Sequence, residues 1–284
     1  MDEAKFVIIG ANGQLGTALR EQYKNARAID VNELDITNRD AVQAFDWSNV
    51  TVVLNGAAYT NVDGAESADG RVIAWSVNAI GPRNLAEVAG QHGITLIHIS
   101  TDYVFDGSNV NHLENELFSP LSVYGQSKAA GDVAISLAPK YYILRTTWVI
   151  GEGKNFVRTM LDLGKKNISP TVVSDQIGRL TFTTELVRAI DHLLKNKPVY
   201  GTYNSTNEGR SMSWADITRE IFKLAKFNLQ VTDTTSSEYF ANKPGIAPRP
   251  LKSTMDLSKL ASTGFMFRDW LEDLKIYVEK ELKK

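Results

Sequence analysis

The segment KFVIIGANGQLG, near the start of the chain, limits the fold more than any other. A short apolar run ends on Gly10, and two further glycines follow at Gly13 and Gly16 before a helical pattern begins. Glycines at a strand-to-helix turn let the backbone double back tightly and approach a pyrophosphate, which then rests on amides at the positive end of the helix. The spacing is GxxGxxG, a variant of the better-known GxGxxG, and its strand–turn–helix setting is what gives it meaning. Asp30 closes the second apolar run, 20 residues after Gly10, where an acid would accept a ribose hydroxyl. A simple turn residue is the alternative reading of Asp30.

The rest of the first half repeats the pattern. KFVIIG, ARAID, VTVVLN, ITLIHIS and YYILRTTW read as buried strands separated by helical segments. Near-continuous apolar strands alternating with helices predict an α/β fold, with a Rossmann-type doubly wound parallel sheet covered on both faces. Pro82 is expected to open a helical turn or to kink a longer helix. After about Gly151 the pattern changes to helices over 155–167, 182–195, 213–225 and 267–283, with short extended pieces between them. We expect a dinucleotide-binding domain over residues 1–150. Residues 151–284 should form mainly a smaller α/β substrate-binding lobe, with some segments returning to the nucleotide layer. The stretch KPGIAPRPLK reads as a loop.

Composition excludes several classes. With no cysteine among 284 residues, disulfides, thiolate metal sites and cysteine nucleophiles are all ruled out. His92, His98, His112 and His192 are scattered without ligand spacing, so no metal site is assigned. A net charge of −2 offers no general attraction to nucleic acid or to membranes. No apolar run approaches the roughly 20 residues needed to span a bilayer, and no signal peptide is visible, so a cytoplasmic protein is expected.

VYGQSK places Tyr124 four residues before Lys128, on one face of a helix. The same spacing recurs at Tyr239 and Lys243, but there Pro244 and Gly245 interrupt any helix. Spacing alone is therefore not a signal. Tyr124 and Lys128 follow the fourth strand, at the carboxyl end of the sheet where ligands bind, and Ser100 and Thr101 end that strand. An ammonium beside the phenol is expected to favour the phenolate form, and such a pair, with a hydroxyl next to it, suits protonation of a ketone oxygen as hydride reaches its carbon.

These residues resemble the extended short-chain dehydrogenase/reductases and, within them, the dTDP-4-dehydrorhamnose reductases. The likeness runs over essentially the whole chain, through GANGQLG, NGAAYTNVDGAE, VNAIGPRNLA, STDYVFDG, SPLSVYGQSKAAGD, LRTTWVIGEGKNF and RPLKSTMDLSKL. It implies Thr101, Tyr124 and Lys128 as the catalytic set. Gly13, Gln14 and Leu15, within the Gly10–Gly16 turn, would meet the pyrophosphate, with Asp30, Asp35 and Ile36 around the adenosine. Ala58, Tyr59 and Thr60 would run towards the nicotinamide, which Tyr124 and Lys128 also reach. Asp102, Tyr103 and Trp148 would line the sugar pocket; on its own, Trp148 reads equally as a core aromatic. The implied cofactor is NADH or NADPH, with Asp30 tilting the choice to NADH.

The implied activity is reduction of a 4-keto-6-deoxy sugar nucleotide, dTDP-4-dehydro-L-rhamnose to dTDP-L-rhamnose. The alternatives are an epimerase or 4,6-dehydratase of the same fold, and a non-catalytic regulatory subunit like that of methionine adenosyltransferase. Some relatives hold Mg²⁺ at a dimer interface, but no ligand set here can be assigned to it, and a homodimer stays open. Three departures from the family pattern stand out: Gly56 in NGAA, RTTWVIG for RTSWVYG, and DQIGRLTF without the usual proline-threonine.

Overall fold

The apolar runs of the first half become the centre of one sheet. In the computed structural model, which describes residues 1–241 and 243–284, these are β1 (Phe6–Ile9), β2 (Arg27–Ile29), β3 (Val52–Asn55), β4 (Thr95–Thr101) and β5 (Tyr141–Thr146). A sixth strand, Gly201–Asn204, comes from the second half and pairs with β5. The order is β2-β1-β3-β4-β5 and then Gly201–Asn204, with every pairing parallel. Parallel strands need crossovers, and these cover both faces with helices. Alternate residues of each strand therefore enter different cores. Ile8, Leu54, Ile97 and Tyr142 pack against Leu15 and Leu19 of α1 (Gln14–Gln22) and against helix Thr183–Asn196. Val7, Val53, Leu96 and Ile143 pack on the other face, against Val42 of α2 (Arg39–Ala44) and Leu85 and Val88 of a later helix.

That later helix is the last part of a continuous helical stretch. It runs through α3 (Ala68–Trp75), a π turn (Ser76–Ile80) and α4 (Gly81–His92). Pro82 has no N–H to offer the carbonyl four residues back, and at this point the Gly81 N–H bonds the more distant Ser76 carbonyl. The bulge turns Asn78 inwards, where it is 1% exposed.

The expected helices after Gly151 form as Phe156–Lys165, Thr183–Asn196, Trp214–Leu224 and Trp270–Leu282. Three of them begin on side-chain caps: Asn155, Ser213 and Asp269 accept hydrogen bonds from N–H groups of the first turn. The last helix starts later than periodicity suggests because Asp269 is its cap. Its Trp270 and Leu274 join Ile150, Leu161, Phe182 and Ile221 in a separate core. Helix Thr183–Asn196 instead packs its Leu186 and Ile190 on the nucleotide layer. The proline-rich loop is pinned: Asp63 accepts from Arg249 through both carboxylate oxygens, at 2.8 and 2.9 Å, and from the Ala247 N–H.

The chain leaves β1 towards β2 and returns to β3 on the other side of β1. A crevice opens outside the strand ends at such a reversal.

Candidate active site

Backbone contact forms the floor of that crevice. Gly10 adopts φ +75°, and a Cβ there would lie 2.6 Å from the Ala57 nitrogen, at the end of β3. A Cβ on Gly16 would lie 2.1 Å from the Gly10 carbonyl oxygen. Only glycine permits both approaches. At Gly13 the nearest atom to a Cβ would be 3.4 Å away, so this side of the turn is open. Gly13 caps α1 with no side chain of its own, which leaves the N–H groups of the first turn free for an anion. Two bonds brace the turn: Asp30 Oδ2 accepts the Asn12 N–H at 2.8 Å, and Gln14 Oε1 accepts the Gly151 N–H at 2.9 Å.

A cleft of about 690 Å³ runs from this turn to the end of β4. Gly13, Gln14 and Leu15 line one end, Ala58 and Thr60 the middle, and Thr101, Asp102, Tyr103, Tyr124, Lys128 and Trp148 the other end. The remaining sequence candidates stand behind or beyond this lining. Gly10 and Gly16 shape the turn from beneath. Asp30 braces it. Asp35 accepts from the Thr37 N–H and hydroxyl, at 2.9 and 2.8 Å, and Ile36 is buried against Gly81. Tyr59 packs against the small apolar cluster that includes Ala65, Val123 and Tyr124, while its backbone is held by Asn78 through bonds of 2.8 and 3.0 Å.

Tyr124 and Lys128 share the inner face of α5 (Val123–Ile135), which Ser122 caps by accepting the Gly125 N–H. Gly125 allows α5 to lie against the strand end: a Cβ there would be 2.2 Å from the Tyr103 carbonyl. Lys128 Nζ donates to the Ile99 carbonyl at 2.6 Å and lies 3.3 Å from His98 Nε2. One turn further on, Asp132 is buried and accepts from Arg145 Nε at 3.0 Å. By contrast, Lys243 sits over the Tyr239 ring, 3.6 Å from its centroid, and neither residue lines the cleft.

Burial dominates the electrostatics. It pushes the Tyr124 phenol well above its ordinary value, with the Asp102 charge adding and the nearby Thr101 hydroxyl opposing. It pulls the Lys128 ammonium down to about 8, with Asp132 opposing. The sequence argument expected Lys128 to favour a phenolate. In the folded site burial outweighs that attraction, and the phenol stays protonated. That is the form a proton donor needs.

Thr101 donates to Asp102 Oδ1 at 2.9 Å and accepts the Tyr103 N–H at 3.2 Å. Asp102 Oδ2 and Thr146 Oγ1 are buried without aligned partners, and both residues line the cleft. Unsatisfied groups at such a place fit a polar ligand. Trp148 has φ +42°, unusual for a bulky residue, and its ring stacks on Trp214 with centroids 3.8 Å apart. Of the three departures, Gly56 lines the cleft, Ile150 is buried in the second core, and Arg179 donates to the Met255 carbonyl.

The sequence reading did not pick out Asn78, Trp214 or the Asn55–His98 pair as site residues. Asn78 lay within a family segment without a role, and His98 was considered only as a metal ligand. Among the described residues, no group of three or more His, Cys, Asp or Glu side chains could hold a metal ion.

A parallel sheet with a glycine cradle at its reversal point, and a buried Tyr–Lys pair beside the neighbouring strand end, defines a nucleotide-cofactor oxidoreductase of the Rossmann type. Residues 4–283 match the model of the RmlD substrate binding domain family, and the chain belongs to that family. It is 39% identical to the dTDP-4-dehydrorhamnose reductase of Aggregatibacter actinomycetemcomitans, over 97% of this chain and 100% of that one. The crystal structure of a dTDP-4-dehydrorhamnose reductase from Clostridium acetobutylicum superposes with a TM-score of 0.90 at 41% identity, covering 98% of this chain and 99% of that one. That of the Bacillus anthracis reductase, in complex with NADP, gives 0.89 at 36% identity, covering 97% and 98%.

Asp102 yields a stability prediction. Burial raises its carboxyl from 3.8 to about 6, against smaller opposing effects of the Ser253 and Thr101 hydroxyls. The folded state therefore holds this proton more tightly than the unfolded state, and stability from this group falls as pH rises from about 4 to about 6. At 1.4 kcal/mol per tenfold, the full cost is about 3 kcal/mol. Asp102→Asn should be more stable than the parent by urea unfolding, with a gain that grows between about pH 5 and pH 8. A gain that is absent, or equal at both pH values, would contradict the assignment.

Proposed function

We propose that this chain catalyses NAD(P)H-dependent reduction of the 4-keto group of a 4-keto-6-deoxy sugar nucleotide, converting dTDP-4-dehydro-L-rhamnose to dTDP-L-rhamnose. The observation that carries this reading is the buried Tyr124 phenol beside Thr101, in a cleft that begins at the glycine turn. Gly13, Gln14 and Leu15 would hold the pyrophosphate, with Asp30, Asp35 and Ile36 towards the adenosine and Ala58, Tyr59 and Thr60 along the cofactor. The nicotinamide, when bound, supplies hydride. Thr101 and Tyr124 bind the ketone oxygen, and Tyr124 gives up its proton as negative charge develops there. Lys128 orients the cofactor's ribose, and Asp102, Tyr103 and Trp148 hold the sugar.

Tyr103 argues against a 4,6-dehydratase. In related dehydratases an aspartate–glutamate pair follows the strand-end threonine and removes the C5 proton. Here Thr101 and Asp102 are followed by a phenol that burial pushes well above its ordinary value, a poor base at neutral pH. With dTDP-glucose and NAD⁺, mass spectrometry should therefore detect no product lighter by about 18 Da. A regulatory subunit needs no oriented acid, so turnover separates that reading from ours. Among the described residues, no helix is long and apolar enough to cross a membrane. A cytoplasmic enzyme, monomeric or homodimeric, fits this reading.

The assay is oxidation of NADH or NADPH with dTDP-4-dehydrorhamnose, followed spectrophotometrically. Tyr124→Phe should lower kcat by about 10²–10⁴ with cofactor affinity little changed, and Tyr239→Phe should match the parent. Near-parental turnover in Tyr124→Phe would overturn the role of Tyr124. The Asp30 and Glu33 carboxylates lie together, Glu33 accepting the Asp30 N–H at 3.0 Å, and would repel a 2′-phosphate. Calorimetric titration should accordingly show tighter binding of NADH than of NADPH. The reverse order would place Arg20, which reaches Asn12 at 3.3 Å, on the phosphate.

A further inference from the structure

A chain of buried hydrogen bonds runs from the end of β3 to Lys128, and its direction is set at one end. The Ala57 N–H can only donate, and it donates to Asn55 Oδ1 at 3.1 Å. Asn55 therefore turns its amide nitrogen to His98 Nδ1, 3.0 Å away. The opposite amide orientation would set its NH₂ against the Ala57 N–H and leave a buried donor unpaired. With Nδ1 accepting, a neutral imidazole carries its proton on Nε2. That N–H faces Lys128 Nζ at 3.3 Å. An ammonium has no lone pair to accept it, whereas a neutral amine accepts from His98 and still donates to the Ile99 carbonyl at 2.6 Å.

We infer that His98 is a positioning residue: held in its Nε2–H tautomer by Asn55 and the Ala57 backbone, it biases Lys128 towards the neutral amine. The inference deepens the reductase reading, because Lys128 is the residue placed there against the cofactor's ribose. Asn55, His98 and Lys128 are each 1% exposed or less, so bulk water does not relieve the donor–donor conflict. The charged and titratable groups around Lys128 act in both directions. Asp132 and Tyr124 share its helix, and Asp132 favours the ammonium, but its carboxylate is already paired with Arg145 of β5. On β4, His98 is itself held well below its ordinary value, first by burial and then by Lys128. The charge on Lys128 is thus set by the scaffold around it.

The direct test is long-range ¹H–¹⁵N correlation NMR on protein labelled with ¹⁵N-histidine. With four histidines in the chain, His98 is assigned by the signals that vanish in His98→Gln. The expected result is an Nε2–H tautomer that remains neutral at pH 6. An Nδ1–H tautomer, or an imidazolium at pH 7, overturns the inference, whatever the protein's activity.

Asn55→Asp supplies the second arm. A carboxylate only accepts, so a neutral His98 must move its proton to Nδ1 and present a lone pair to Lys128. The NMR pattern should invert. The Lys128 ammonium attracts the anionic cofactor more than the neutral amine does, so the pH at which NAD(P)H affinity falls, read by fluorescence titration, should move upwards by about one unit or more, a relative gain of about tenfold at pH 9 once normalised at pH 6.5. An inverted tautomer with an unmoved midpoint would show that His98 does not act on Lys128. A purely structural role for Asn55 would lower stability without inverting the pattern, and that also overturns the proposal. If the native protein binds neither cofactor, the reductase reading fails, while the tautomer result still stands or falls by itself.

Discussion

Contact between backbones at the ends of β1 and β3 is the constraint on which the rest depends. Gly10 lies so close to Ala57, and Gly16 so close to Gly10, that no side chain could be inserted between them. This lets α1 start directly above the sheet, at the place where the chain reverses direction across it. The open side of Gly13 then faces a cleft rather than a packed core. Everything chemical in the molecule is arranged along that cleft. The second half contributes by closing over it, with Gln14 bonded to the Gly151 backbone and Trp148 reaching in from beyond β5.

At the other end of the cleft, polar groups are buried deeply. Lys128, Asp132, Arg145, His98 and Asn55 all lie beneath the surface, and each has a partner in this network. Buried networks of this kind are costly if broken and stabilise mainly by fixing one arrangement. Asp102 Oδ2, which has no well-aligned donor, and the left-handed Trp148 show that the site also carries local costs of desolvation and backbone strain. Such costs are tolerated where a ligand repays them. The Asp102 carboxyl is the clearest case, since its burial disfavours the charge it would carry at neutral pH.

Local features were legible in the sequence. The five strands, the glycine turn and the helix bearing Tyr124 and Lys128 all follow from periodicity and punctuation over a few residues. The repeated Tyr–Lys spacing at Tyr239 shows the limit of such reading: proline and glycine after Lys243 mark it as different, and Lys243 stacks on the ring instead. What could not be read were pairings between distant segments. Asn55 and His98 are 43 positions apart and meet only because β3 and β4 pair in register. Asn78 reaches the Tyr59 backbone through a π turn that a simple helical period does not anticipate. Trp214 begins a helix in the second lobe yet supports a residue at the cleft. The sign of the Tyr124 shift was also hidden, because it depends on how completely α5 is buried.

The central claim is that hydride is delivered to C4 of a keto sugar nucleotide while Tyr124 protonates its oxygen, with net consumption of cofactor. The most direct measurement uses NADH or NADPH deuterated at C4 of the nicotinamide, with dTDP-4-dehydrorhamnose as substrate and mass spectrometry and NMR of the product. The account predicts one deuterium at C4 of the sugar, from one face of the nicotinamide only, and one oxidised cofactor for each product formed. Turnover of the sugar nucleotide without net cofactor oxidation, or product with no deuterium at C4, would contradict it.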